Sequence, residues 1–273
     1  MTTAYDYDSD RRSPRALEEL RELLRSGPLL RALVERNIKI RYKRSVFGLL
    51  WTIANPMPML LVVSLVLSRL LSKYTPAYPL FACAGLLLWT FFSQTTTIVT
   101  YEVASGIDLW RRTRIPKTAL ALATLATSLF NLLVALVVLI VIMLIIGRPL
   151  GAPLLSLVLT LFLTSLFTFG VSLLLGTIAL SFPDISDLYT MLLPALMFTS
   201  TVIYPVAIVP DSIRWLVAYN PVTAFIEAFR APLYANAWPS ASSYAVMTIV
   251  SLTTAVAGWL LFNHSAHDVT AHV

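Results

Sequence analysis

The chain has 273 residues, of which 58% are hydrophobic and 12% charged, with a formal net charge of +6. Soluble domains carry about 25% charged residues, so a mean hydropathy of +0.78 excludes an ordinary soluble enzyme. A single cysteine, Cys83, excludes an intrachain disulfide and, inside an apolar run, reads as a buried thiol.

The first 49 residues are polar and basic, which excludes a cleavable signal peptide at this start. Residues 1–13 have nothing to bury and read as disordered. Pro14 opens a helical stretch from Arg15 to Arg25, broken at Gly27-Pro28. A second, amphipathic helix follows, with Leu29, Leu30, Leu33, Val34 and Ile38 on one face and Arg31, Glu35, Arg36, Lys39 and Lys43 on the other. A basic amphipathic helix ahead of a first span is expected to lie in the membrane interface.

Apolar windows then fall near 50–71, 79–101, 119–146, 153–181, 188–208 and 243–262. A bilayer needs about 20 apolar residues per helical span. Residues 118–183 hold one charged side chain, Arg148, and read as two spans turning at Gly147 to Gly151. The fifth window is interrupted by Pro194 and Pro205, which spans tolerate where neighbours satisfy the freed carbonyls. The expected fold is an all-α integral membrane protein with six transmembrane helices, an N-terminal interface helix and two short re-entrant external helices. Its divisions are a tail and short helix at 1–27, the interface helix at 28–48, the transmembrane domain at 49–262 and a tail at 263–273.

Of the twenty Lys and Arg residues, eleven precede the first span and four stand in the loop 102–117 after the second. The positive-inside rule then places both termini in the cytoplasm of a multi-pass plasma-membrane protein. The excess positive charge serves topology and anionic lipid headgroups, with no nucleic-acid partner expected.

In the loop after the second span, Trp110 sits directly before Arg111-Arg112. It is either an interfacial anchor or a short coupling helix that docks another protein, with Trp110 buried and the arginines at its rim. Between spans five and six, residues 205–238 offer two helices too short to cross. Asp211 is the expected N-cap of one, and Asn220-Pro221 breaks before Phe225 and Phe229. Re-entrant helices must be packed in protein or line a cavity, which points to an external plug or gate.

No catalytic constellation emerges, and no Walker A sequence or proton-relay carboxylate occurs in the intramembrane tract 118–183. His264, His267 and His272 read as a solvated tail, so no metal or cofactor is expected on this chain. Aromatic residues near the spans, among them Trp51, Trp89, Phe91, Phe92, Tyr189, Phe198 and Tyr204, are either packing and interfacial residues or lining of a conduit on which sugar rings slide.

One ordered set of motifs goes further. Arg36-Asn37-Ile38-Lys39-Ile40-Arg41-Tyr42-Lys43-Arg44-Ser45, Gly48, Trp51 and Asn55-Pro56 are followed by Leu88-Trp89-Thr90-Phe91-Phe92, Ile115-Pro116-Lys117, Asn220-Pro221 and Phe229-Arg230. From about residue 28 to 262 the chain resembles the type-2 ABC exporter permease family, in its branch exporting polysaccharides and polyol phosphates. The resemblance implies a homodimer, each permease bound to a separate ATP-hydrolysing subunit that holds ATP and Mg, with the path at the dimer interface. By the same analogy, Arg36, Glu102, Asp108, Trp110, Arg111, Arg112 and Arg114 couple to the ATPase. Arg41, Tyr42, Lys43 and Arg44 meet an anionic lipid-linked substrate at the entrance. Pro205, Asp211, Asn220, Pro221, Phe225 and Arg230 belong to the external gate. Where the family often has Phe-Arg-Asp after the fourth span, this chain has Phe182-Pro183-Asp184, with Asp184 left to cap the fifth. Exporters of drugs or lipids in the same superfamily, and a membrane-embedded enzyme or scaffold acting on polyprenyl lipids, are the alternatives.

Overall fold

The computed structural model describes residues 19, 21–23, 25–42, 57–71, 73–105 and 116–271, the side chains of 41–42 and 267–271 excepted. Among these residues the regular structure is entirely helical. An amphipathic helix α1 (Gly27–Tyr42) precedes α2 (Met57–Leu71), α3 (Tyr78–Ser105) and α4 (Ala119–Ile145). A 3-10 turn, Ala152–Leu155, leads into α5 (Ser156–Ser181), and α6 (Ile185–Thr199) follows. Two short helices, α7 (Arg214–Ala218) and α8 (Pro221–Arg230), precede the last long helix α9 (Ala241–Ala271).

Four of these are long and apolar enough to cross a bilayer, over Tyr78–Ser105, Ala119–Ile145, Ala152–Ser181 and Ala241–Ala266, while Met57–Leu71 and Ile185–Thr199 are shorter apolar helices. Every predicted apolar window thus has a helix, but the fifth does not run unbroken to residue 208. It accommodates Pro194 and stops at Thr199, because Thr201 adopts a left-handed backbone, φ 53°, that no α-helix continues.

The expected break falls at Ser26, a turn between the helical residues before it and α1, which Gly27 and Pro28 open; Leu30 donates to the Ser26 carbonyl. Proline is tolerated there because its missing N–H has no intrahelical acceptor. Asp211 does not cap α7, whose N-cap is Ile213; its carboxylate instead meets Arg214 at 2.6 Å. Asp184 takes the N-cap position of α6, without a side-chain cap bond. The expectation for residues 1–13 lies outside the described residues.

α5 and α9 pack backbone to backbone. A Cβ on Gly170 would lie 2.4 Å from the Thr254 carbonyl carbon, and one on Gly258 2.5 Å from the Gly170 carbonyl oxygen. Small residues at the crossing let helices approach where no hydrophobic effect drives them together. The main core is aromatic: Phe92, Phe167 and Phe225 stack in series at 5.6 and 4.6 Å between ring centroids, joining α3, α5 and α8. At the other end Leu23 and Leu33 bury against Ala119 and Ala123 of α4. There the Glu19 carboxylate accepts from the Thr118 N–H at 3.1 Å and its hydroxyl at 3.0 Å, satisfying an orphan donor at the start of α4.

Candidate functional site

Beyond Thr199 the chain is irregular yet buried, with Thr201 and Val202 fully covered. Non-helical backbone inside a membrane protein must find partners for its carbonyls. Helix α8 supplies most of them. Asn220 caps it: its side-chain oxygen accepts from the Val222 N–H at 3.0 Å, and Pro221 follows at the first helical position, where its missing N–H costs nothing. The Asn220 amide then donates to the Thr199 carbonyl at 3.1 Å and the Ser200 hydroxyl at 2.9 Å.

One turn after the middle of α8, Arg230 is only 2% exposed. Its guanidinium donates to the carbonyls of Thr201 (3.1 Å), Val202 (2.9 Å) and Phe81 (3.2 Å), and to the Glu227 carboxylate at 2.8 Å. It also lies 3.6 Å over the Phe81 ring, a desolvated cation–π contact. Burial pulls its pKa down to about 10, with Glu227 opposing the shift, so the group stays charged at neutral pH. The Tyr78 hydroxyl takes the next carbonyl, Ile203, at 2.6 Å. Gly85 makes room: a Cβ there would sit 2.2 Å from the Val202 oxygen and 2.5 Å from the guanidinium. This clasp binds the start of α3, the end of α6 and α8 into one unit, and its chemistry is mechanical, with no nucleophile or base in play.

Of the predicted gate residues, Asn220, Pro221, Phe225 and Arg230 thus converge, and Phe225, 1% exposed, closes the aromatic stack. Asp211 stands apart on the surface and Pro205 is half-buried ahead of a 3-10 turn. Among the predicted conduit residues Trp89, Phe91 and Phe92 are 7%, 4% and 4% exposed, covered by other parts of this chain. Tyr189 is half-buried, its hydroxyl 2.7 Å from that of Thr96. Phe198 is 53% exposed, and the Tyr204 hydroxyl donates to the Phe198 carbonyl.

Of the predicted coupling residues, Glu102 is half-buried and accepts from the Thr124 hydroxyl at 2.7 Å. Arg36 itself is exposed and donates to Asn37 at 3.3 Å. A cavity of about 300 Å³ opens beside this junction, between Asn37, Ile98, Thr124 and Ser128. Asp108, Trp110, Arg111, Arg112 and Arg114, with Lys43, Arg44 and Trp51, lie outside the described residues, as do the side chains of Arg41 and Tyr42. Among the described residues no group of three or more His, Cys, Asp or Glu could hold a metal ion, and Cys83 is a half-buried free thiol.

Sequence reasoning missed Glu19, Tyr78, Gly85 and Glu227. Glu227 was open to inference, since it stands one helical turn before Arg230 on a predicted helix. The other three partner residues more than a hundred positions away, or nearly so, and no local pattern signals that.

A bundle of apolar helices, four of them long and apolar enough to cross a bilayer, with the short buried helix α8 packed against it, is the architecture of a membrane protein. Residues 28–234 match the family described as ABC-2 type transporter, and the chain belongs to that family. It is 28% identical over 235 residues to the O-antigen export system permease protein RfbA of Myxococcus xanthus, covering 85% of this chain and 90% of that one. It is 25% identical over 236 residues to the RfbA of Klebsiella pneumoniae, covering 86% and 91%. Identity to the polysialic acid transport protein KpsM of Escherichia coli is 28% over 228 residues, covering 81% and 88%.

Proposed function

We propose that this chain is the transmembrane subunit of an ATP-driven exporter that moves a lipid-linked polysaccharide or polyol phosphate across the plasma membrane. The observation that carries the reading is similarity over more than four-fifths of the chain to permeases named for O-antigen and polysialic acid export. ATP and Mg are held by a separate ATPase, one copy for each of two permeases, and both termini face the cytoplasm.

Two features support a homodimer with the path between copies. Helix α2 exposes Leu61, Leu65 and Leu70, and α6 exposes Met191, Leu192 and Phe198. Helix α6 is also a shorter apolar helix, as suits a segment completed by a neighbour. Phe198 and Tyr189 then face or border the path, while Trp89, Phe91 and Phe92 stiffen its wall. Force enters through α1 and the loop 102–117. The Glu102–Thr124 bond ties α3 to α4 beside Arg36, so a tilt of α1 reaches both helices.

Depletion of the chain in its own cells, followed by analysis of polyprenyl-linked intermediates, tests this. Accumulation of finished lipid-linked glycan or polyol phosphate is expected. Flat pools together with new sensitivity to small toxic compounds would replace the reading with a drug exporter. Charge reversal of Arg111 and Arg112 should lower transport-coupled ATPase activity without loss of membrane insertion; unchanged transport would remove that loop from coupling.

A further inference from the structure

Helix α6 exposes Asp187, Met191, Ala195 and Phe198, which recur at helical spacing and so form one stripe along its length. Phe198 marks the end of that stripe near the clasp, and Asp187 the opposite end, in the first turn. There the Tyr101 hydroxyl of α3 donates to the Asp187 carboxylate, and both side chains are exposed. Beside them the Tyr189 hydroxyl meets that of Thr96 at 2.7 Å. This second link between α6 and α3 fixes how the pair is presented.

The charge along this wall is one-sided. Among the described residues of α2, α3 and α6, the Asp, Glu, Lys and Arg side chains are those of Arg69, Glu102 and Asp187. Arg69 stands in the last turn of α2, toward the end that carries the clasp, and Glu102 turns to Thr124 of α4. The basic residues Arg31, Arg36 and Lys39 ride on α1, which packs on α4. Asp187 is therefore the charge that the exposed stripe of α6 offers at its cytoplasmic end. An ionised carboxylate accepts hydrogen bonds and donates none, so it takes sugar hydroxyls and repels phosphates. The Tyr101 ring beside it offers an apolar face to the C–H groups of a sugar. Between low-dielectric walls such a field is focused.

We propose that Tyr101 and Asp187 form a sugar-selecting contact at the cytoplasmic mouth of the path, and that the exported polymer is an uncharged glycan and not a polyol phosphate or another polyanion. The inference rests on the exporter reading above and narrows it. The head of a carrier lipid brings its negative charge to the mouth once, whereas a polyol phosphate brings one past Asp187 with every repeat. Like charges facing each other suppress the wrong partner, so the selection acts along the whole polymer.

The test uses the full chain with its ATPase in proteoliposomes, and reads the stimulation of ATP hydrolysis by two probes of equal length. One is a neutral oligosaccharide on a polyprenyl pyrophosphate, the other a glycerol phosphate oligomer on the same carrier. The wild type should reach half-maximal stimulation with the neutral probe at a concentration about tenfold or more below that of the other. Asp187→Lys should erase or reverse this preference. Tyr101→Ala should raise the concentration needed of the neutral probe alone; if it fails to fold, the Asp187 variant decides. Equal or better stimulation by the glycerol phosphate probe in the wild type, or an unchanged preference in Asp187→Lys, overturns the proposal and leaves the exporter reading standing. Stimulation by neither probe removes the exporter reading and the inference with it. Loss of dimers in Asp187→Asn, seen by native mass spectrometry, would make the pair an interface between copies and overturn the proposal too.

Discussion

Arg230 and Arg31 are both arginines on amphipathic helices, one turn from a glutamate. Arg230 is almost wholly buried and holds three carbonyls and Glu227, whereas Arg31 is 83% exposed and holds only Glu35, which Lys39 shares at 3.5 Å. In the first case the alternative to the pairing is a set of unsatisfied groups in a medium of low dielectric; in the second it is water. The cost of loss therefore differs far more than the geometry does. The same contrast runs through the two ends of the bundle. The end with α8 is knit by buried bonds to backbone, and the end with α1 by half-buried links such as Glu19–Thr118, Glu102–Thr124 and Lys117, which donates to the Ala266 carbonyl at 2.7 Å.

Substitution is the direct way to break this comparison. Arg230→Leu should destabilise the protein most, by about 3–5 kcal/mol, read as a lower melting temperature in detergent; a loss no larger than that of a surface arginine would mean that water replaces the guanidinium. Gly85→Ala tests the same clasp from the other side. Its methyl must displace the Val202 carbonyl or the guanidinium, at about 1–3 kcal/mol for overpacking, and a neutral effect would show that the clasp yields freely. Asn220→Ala removes the cap of α8 and the donor to Thr199, for about 1 kcal/mol, and should speed hydrogen exchange at residues 220–224 before it lowers global stability.

At the other end, Glu19→Ala should cost about 1 kcal/mol through the lost bond to the Thr118 N–H, with faster exchange confined to the start of α4. Glu35→Gln should have the smallest effect. The hydrogen bond from Arg31 chiefly, with Lys39 adding to it, holds the Glu35 carboxyl below its ordinary pKa. Its contribution is thus complete at neutral pH, fades as pH falls through that lowered pKa, and is screened by salt. A melting temperature that shifts as much as in Glu19→Ala would show that the exposed pair matters more than its exposure allows.

The number and order of apolar segments, the amphipathic helix and the break at Asn220-Pro221 were legible in the sequence, because each follows from a local period or a local steric rule. Bilayer thickness and the 3.6-residue repeat act on neighbouring residues, and proline and asparagine set backbone angles wherever they stand. The roles of single residues within the bundle were not legible in that way. Trp89 and Phe92 look like the lining of a conduit until α5 and α8 are seen to cover them, and Asp211 looks like a cap until Ile213 takes the place. The sequence motif at Phe229-Arg230 does not mark Arg230 as the partner of Phe81, Thr201 and Val202. What tertiary structure alone decided was which backbone carbonyls are left over where α6 stops, and which distant donor reaches them, since that depends on three helices meeting and on the space left by Gly85.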